Sequence, residues 1–186
     1  MRSSSPQRQR ILASAVEVLA TSGQGALTVR TVAQRSGMST SGIYTWFGGK
    51  DGLLDAIFID GFTRFRAALA EADVEADPLT RLRRSGDLYW EWALANPTHY
   101  LLMFVGVPGT FTPSDAAVTA GEAALGDLVD RVLAVGVAPD DAPRVSHHVW
   151  AVVHGYTSLE VAAPSADPDT ARQWYSRAVD AMLAAL

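Results

Sequence analysis

Four times beyond residue 75, a side chain able to cap a helix is followed at once by proline: Asp77–Pro78, Asn96–Pro97, Thr112–Pro113 and Asp167–Pro168. An acid, amide or hydroxyl oxygen accepts a hydrogen bond from the free amides of a first helical turn, and proline fits the first helical position because its missing N–H would be unpaired there anyway. Each pair therefore opens a helix. With apolar residues recurring at helical spacing, the pairs predict helices over 78–95, 97–105, 113–135, 140–162 and 167–186, with PGTFTP at 108–113 as a mobile connection. Upstream, a helix begins near Pro6, carries Ile11, Leu12, Ala15, Val18 and Leu19 on one face and stops at Gly23. Short helices over 28–35 and 39–46 follow, and a longer one starts near Lys50 and carries Leu53, Leu54, Ile57, Phe58 and Phe65 towards the body. No period-two alternation is long enough for a strand, so the fold class is all-α, with about nine helices.

Of the 186 residues, 48% are hydrophobic, enough to bury a core. Cysteine is absent, which excludes thiol catalysis, disulfides and cysteine-ligated metals. Apolar runs fall short of the ~20 residues that cross a bilayer, and the basic start MRSSSPQRQR is followed by polar interruptions instead of a signal core; the expected location is cytoplasmic, with no membrane partner. The net charge of −5 conceals an asymmetry. Residues 1–50 carry six basic groups against one acid, and the remainder nine against nineteen. A cationic head suits a polyanion, and the anionic body does not. Fourteen of the fifteen basic residues are arginine; the only lysine is Lys50.

Residues 28–47, TVRTVAQRSGMSTSGIYTWF, read as two short helices crossed at a tight turn. Gly37 sits where the backbone must turn left-handed. Thr28 and Ser39 stand as N-caps, and the amides of such helix starts also bind phosphate oxygens. Val29, Val32, Ala33, Met38, Ile43 and Phe47 supply the interior, leaving Arg30, Thr40, Ser41, Tyr44 and Trp46 outward. That set can hydrogen-bond base edges and phosphates in a major groove. Two helices joined by a glycine turn also occur in bundles with no nucleic-acid role.

The stretch resembles the tetracycline-repressor (TetR) family of bacterial transcriptional regulators, through Thr28, Val32 with Ala33, Gly37, Ser39, Tyr44, Phe47 and Lys50, followed by Leu53 and Leu54. The resemblance implies a helix-turn-helix DNA-binding domain over 7–67 and a ligand-binding and dimerisation domain over 68–186. It implies phosphate contacts at Thr28, Tyr44 and Lys50, and base contacts among Arg30, Thr40 and Ser41. Two departures, Ser41 preceding Gly42 and Trp46 where the family often has His, leave the base contacts open. The family pairs its last two helices with those of a second copy, so a homodimer on a palindromic double-stranded DNA operator is implied.

In the body, the 167–186 helix carries Ala171, Trp174, Tyr175, Ala178, Val179, Met182, Leu183 and Leu186 on one stripe. The preceding helix has two apolar faces, one with Val145, Val149, Val152, Tyr156 and Leu159, the other with His147, Trp150, Ala151, His154 and Ser158. WAVVHG at 150–155 resembles the signature of the family's subgroup with a C-terminal Trp…His-Gly domain. Tyr89, Met103, Phe104, His147, Trp150 and His154 are candidate ligand-binding residues, suited to a mostly apolar effector with few polar handles. His147 and His154 lie two helical turns apart but make a poor metal site by themselves, so neither a metal nor a cofactor is expected.

Enzyme motifs are absent. GGKD at 48–51 lacks the first glycine and the hydroxyl of a nucleotide loop, and there is no GxSxG or HExxH. The sequence reads as a DNA-binding transcriptional regulator, a homodimeric repressor released by a small apolar or aromatic molecule, and not an enzyme. The alternative is an all-α small-molecule or cofactor-binding protein without a DNA role.

Overall fold

The computed structural model describes residues 5–105 and 111–186; residues 1–4 of the basic start and 108–110 of the PGTFTP segment lie outside them. The described residues form α1 (Pro6–Ser22), a 3-10 turn (Gln24–Ala26), α2 (Val29–Ser36), α3 (Thr40–Phe47), α4 (Lys50–Leu69), a second 3-10 turn (Ala70–Val74), α5 (Pro78–Ala95), α6 (Pro97–Phe104), α7 (Asp115–Ala134), α8 (Ala142–Ala162) and α9 (Pro168–Leu183). No strand occurs among them.

Local chemistry accounts for most of these boundaries. Asp77 accepts from the Thr80 amide and Asp167 from the amides of Asp169 and Thr170, with proline next in both cases. Hydrogen bonds from Thr80 and Thr170 hold the two carboxyls below the usual aspartate range. Two expected caps differ. Asn96 turns its side-chain amide back to donate to the Trp92 carbonyl at the end of α5. The N-terminal cap of α7 is Ser114, not Thr112: the Ser114 hydroxyl accepts from the Ala117 amide at 3.3 Å. Two further bonds hold that serine, because Asp55 of α4 accepts its amide at 2.8 Å and its hydroxyl at 2.7 Å. A carboxylate that accepts both of a residue's donors outweighs a lone hydroxyl as a choice of helix start.

The chain divides into two compact units, residues 1–62 with 98–120, and residues 63–97 with 121–186. In the first, Ile11, Ala15 and Val18 of α1, Val32 and Ala33 of α2, Ile43 and Phe47 of α3 and Leu102 of α6 form one buried cluster. Leu53, Leu54 and Ile57, expected to face the body, belong to this cluster as well. The first turns of α4 close the head because α1 and the two eight-residue helices α2 and α3 have too little apolar surface to bury each other. Gly37, with φ 68 and ψ 23, ends α2 in the left-handed conformation that a β-carbon would strain, and so sets the turn into α3.

The second unit is built on α5, α8 and α9. On α8 the buried stripe runs Ala142, Val145, Ser146, Val149, Val153, Thr157 and Glu160, so Val153 is buried in place of the expected Val152. The α9 residues Ala171, Tyr175, Val179 and Leu183 are buried. Trp90 packs on Tyr175 with ring centroids 4.5 Å apart, and the Tyr175 hydroxyl donates to the Gly86 carbonyl. Glu160, buried near the end of α8, accepts from the Ser165 amide and hydroxyl at 2.9 Å each, which fixes the chain between α8 and α9.

Candidate functional site

The α3 helix has two unlike faces. Ile43 is fully buried and Phe47 nearly so, which commits one side to the head core. The opposite side leaves Thr40, Ser41 and Tyr44 exposed, the tyrosine at 57%. At the start of the helix, Ser39 accepts from the Gly42 amide at 3.1 Å and shares a hydrogen with Ser41 across 3.0 Å. Thr28 caps α2 in the same way, accepting from the Thr31 amide at 3.0 Å. Arg30, on the first turn of α2, is exposed. Neither Arg30 nor Thr40 has a side-chain hydrogen bond or ion pair among the described residues. A free guanidinium and a free hydroxyl, both on short helices anchored by a buried apolar core, are groups that can bind an external acceptor without first breaking an internal bond.

Lys50 and Trp46 are less exposed than the other candidate DNA-contacting residues. Lys50 is half-buried at the start of α4, and its Nζ donates to the Gln24 carbonyl at 3.4 Å, a long bond that leaves its other donors uncommitted. Trp46, expected to face outward, is half-buried and packs against the head core. Its place three residues after Ile43 puts it on the flank of the buried stripe, where so large a ring gains more from apolar contact than from water. Elsewhere in the head, Arg35 pairs with Glu17 at 2.6 Å, and the Arg8 guanidinium lies over the Phe47 ring at 5.2 Å.

One head residue, Gly52, carried only a weak sequence signal. A β-carbon on Gly52 would overlap the Phe47 carbonyl oxygen, so this glycine permits the first turn of α4 to abut the end of α3. Within a helix a glycine usually weakens the element, and that mild conflict was the available clue.

In the second unit the structure brings together Tyr89, Trp150 and His154 of the candidate ligand residues. The Tyr89 hydroxyl lies 2.9 Å from His154 Nδ1, and Ser158 Oγ lies 3.1 Å from Nε2. Trp150 packs against His154 at 5.4 Å. Burial lowers the His154 pKa from its ordinary value, which favours the neutral ring. A neutral imidazole has one N–H and one lone pair, so one of the two hydroxyls donates to the ring and the other accepts from it. Helical spacing puts Ser158 on this face but gives no sign of its part in the hydrogen-bonded chain. His147 is exposed, with its ring edge-on to Trp150 at 5.6 Å.

Met103 and Phe104 belong to the first unit. There Phe104 meets Phe62 and Tyr100 at centroid distances of 5.6 and 5.0 Å, and Met103 fills the space that a β-carbon on Gly61 would take. The candidate ligand set is thus divided between the two units. Among the described residues no group of three or more His, Asp or Glu could hold a metal ion, and no helix is long and apolar enough to cross a membrane.

Residues 11–57 match the bacterial regulatory proteins of the tetR family, and residues 82–182 match the tetracyclin repressor-like C-terminal domain. HTH-type transcriptional regulators of Mycobacterium bovis and Mycobacterium tuberculosis are 26% identical over 145 residues, which covers 72% of this chain. The match spans 60% of the length of those relatives. A solved protein of unknown function from Rhodococcus sp. RHA1 is 27% identical and superposes with a TM-score of 0.82, covering 100% of this chain and 97% of that one. The TetR family transcriptional regulator PfmR from Thermus thermophilus, 21% identical, shares the fold with a TM-score of 0.70 over 95% of each chain. With both its head and the greater part of its body matched, the chain belongs to the tetR family of bacterial regulatory proteins.

Proposed function

We propose that the protein is a sequence-specific DNA-binding transcriptional regulator that acts in the cytoplasm as a homodimeric repressor and has no catalytic role. The observation that carries the reading is the two-faced α3: Ile43 and Phe47 are buried in the head core while Thr40, Ser41 and Tyr44 stand exposed, with Arg30 exposed on α2. Insertion of that face into a major groove puts hydroxyls and a guanidinium against base edges. Thr28, Ser39, Tyr44 and Lys50 then serve as phosphate contacts. Trp46 contributes by bracing α3 from the core side.

Dimerisation rests on the outer flanks of α8 and α9. Leu159 is 72% exposed and Trp174 59%, with Tyr156 and Leu186 partly exposed. Apolar groups of that size are costly to leave in water, and a second copy of the same two helices would cover them. Two heads so joined match a palindromic operator. The effector is a small, mostly apolar molecule held beside Trp150, with the Tyr89–His154–Ser158 chain as its polar handle. Its binding favours a head spacing that does not match successive major grooves, by as much as its affinity differs between the two spacings.

The test is a band-shift with the DNA flanking the protein's own gene, repeated across salt. A site-specific complex that weakens steeply with ionic strength supports the reading. Absence of any specific complex at low salt overturns it. Lys50→Ala is expected to weaken binding to all sequences alike, and a changed sequence preference would remove Lys50 from the phosphate contacts.

A further inference from the structure

The second unit contains a cleft of about 550 Å³, bounded by the end of α4, the 3-10 turn after it, the start of α5 and the second half of α7. The volume falls in the ~300–1,000 Å³ range of small-molecule sites. Its walls carry three arginines, Arg66, Arg81 and Arg131, and three aspartates, Asp73, Asp127 and Asp130, with alanine side chains between them. The total is balanced, but the pairing is not.

Arg66 has a carboxylate partner, donating through Nε and Nη2 to the two oxygens of Asp127 at 2.6 and 2.9 Å. Arg131 donates to Asp73 at 3.1 Å and to the Leu69 carbonyl at 3.3 Å. Arg81 has no carboxylate partner among the described residues. Its Nε and Nη2 both donate to the neutral Glu75 carbonyl, at 3.0 and 2.8 Å. Asp77, one turn before it, senses Arg81 only through space and is committed to Thr80. Asp130 makes no hydrogen bond or ion pair among the described residues. The cleft therefore holds one guanidinium and one carboxylate that lack counter-charges and do not pair with each other.

We propose that this cleft binds a small zwitterion, with an ammonium on Asp130 and a carboxylate on the donors of Arg81 that the Glu75 carbonyl leaves free. A simple cation would satisfy Asp130 and be repelled by the arginines, and a simple anion would meet the converse penalty. A molecule with both charges compensates both groups at once. This inference is independent of DNA reading and of the His154 site.

The experiment is calorimetric titration of the full chain at low ionic strength with glycine, β-alanine, γ-aminobutyrate and ε-aminocaproate, and with butyrate and butylamine as singly charged controls. One chain length of amino acid is expected to bind at a single site, with both controls weaker by about tenfold or more. Asp130 holds no other residue in place, so Asp130→Asn should lower that affinity by about tenfold or more while leaving thermal stability unchanged. Arg81→Gln should weaken binding similarly. Millimolar amino acid that fails to bind, controls that bind as well, or Asp130→Asn that binds like the parent would each overturn the proposal.

Discussion

Gly52 on α4 faces the carbonyl oxygen of Phe47 on α3 with no room between them for a methyl group. The obstacle is backbone, which cannot rotate away as a side-chain tip would. Gly52→Ala is expected to destabilise the head by roughly 3 kcal/mol or more, the upper range for overpacking, although alanine is the better helix former. Urea unfolding followed by circular dichroism checks this. A neutral or stabilising outcome would mean that α3 and α4 can part without cost.

Tyr175 and Gly86 form a second close pair. The Tyr175 hydroxyl donates to the Gly86 carbonyl, and a β-carbon at Gly86 would lie 3.2 Å from that same oxygen. Tyr175→Phe should cost about 1 kcal/mol for the lost bond. Gly86→Ala should cost more in the parent than in the Tyr175→Phe background, because the colliding oxygen is gone there. A double-mutant cycle with no coupling between the two sites would contradict the geometry.

His154 makes stability depend on pH. Burial sets its folded pKa below the ordinary value of 6.5, so on acidification the unfolded chain takes up the proton first. Its contribution is present above about pH 6.5 and is lost as pH falls through that value towards the folded pKa. Unfolding free energy should therefore fall between about pH 7.5 and pH 5.5, more steeply for the parent than for His154→Gln. Equal slopes would show that the ring titrates alike in both states.

Asp55 anchors α7 by accepting both donors of Ser114. Asp55→Ala removes two charge-assisted bonds at a partly exposed position and should cost about 1–2 kcal/mol. Asp55→Asn, with one acceptor left, should lie between the parent and the alanine variant. Amide exchange over residues 114–118 is the specific readout, and unchanged protection there would dissociate the bond from the helix start.

Much of the architecture follows from chain chemistry alone. Asp77–Pro78 and Asp167–Pro168 place α5 and α9, and Thr28, Gly37, Ser39 and Gly48 place α2 and α3, because capping bonds span only three residues and a left-handed turn favours glycine wherever it occurs. The exposure of Thr40, Ser41 and Tyr44 on α3 was legible for the same reason, because an eight-residue helix whose buried side is marked by Ile43 and Phe47 has its opposite side determined, whereas Trp46 on the flank was not.

What the tertiary structure decided was every choice between acceptable partners. Leu53, Leu54 and Ile57 could have served either unit, and went to the head because α1 and the short α2 and α3 lacked cover. Ser114 displaced Thr112 as a cap once Asp55 was near enough to hold it. Gly52, the Tyr89–His154–Ser158 chain and the unpaired charges of Arg81 and Asp130 depend on which residues folding brings within bonding distance and which it keeps apart. Helical periodicity fixes which side of a helix a residue occupies, but only packing fixes what stands opposite it.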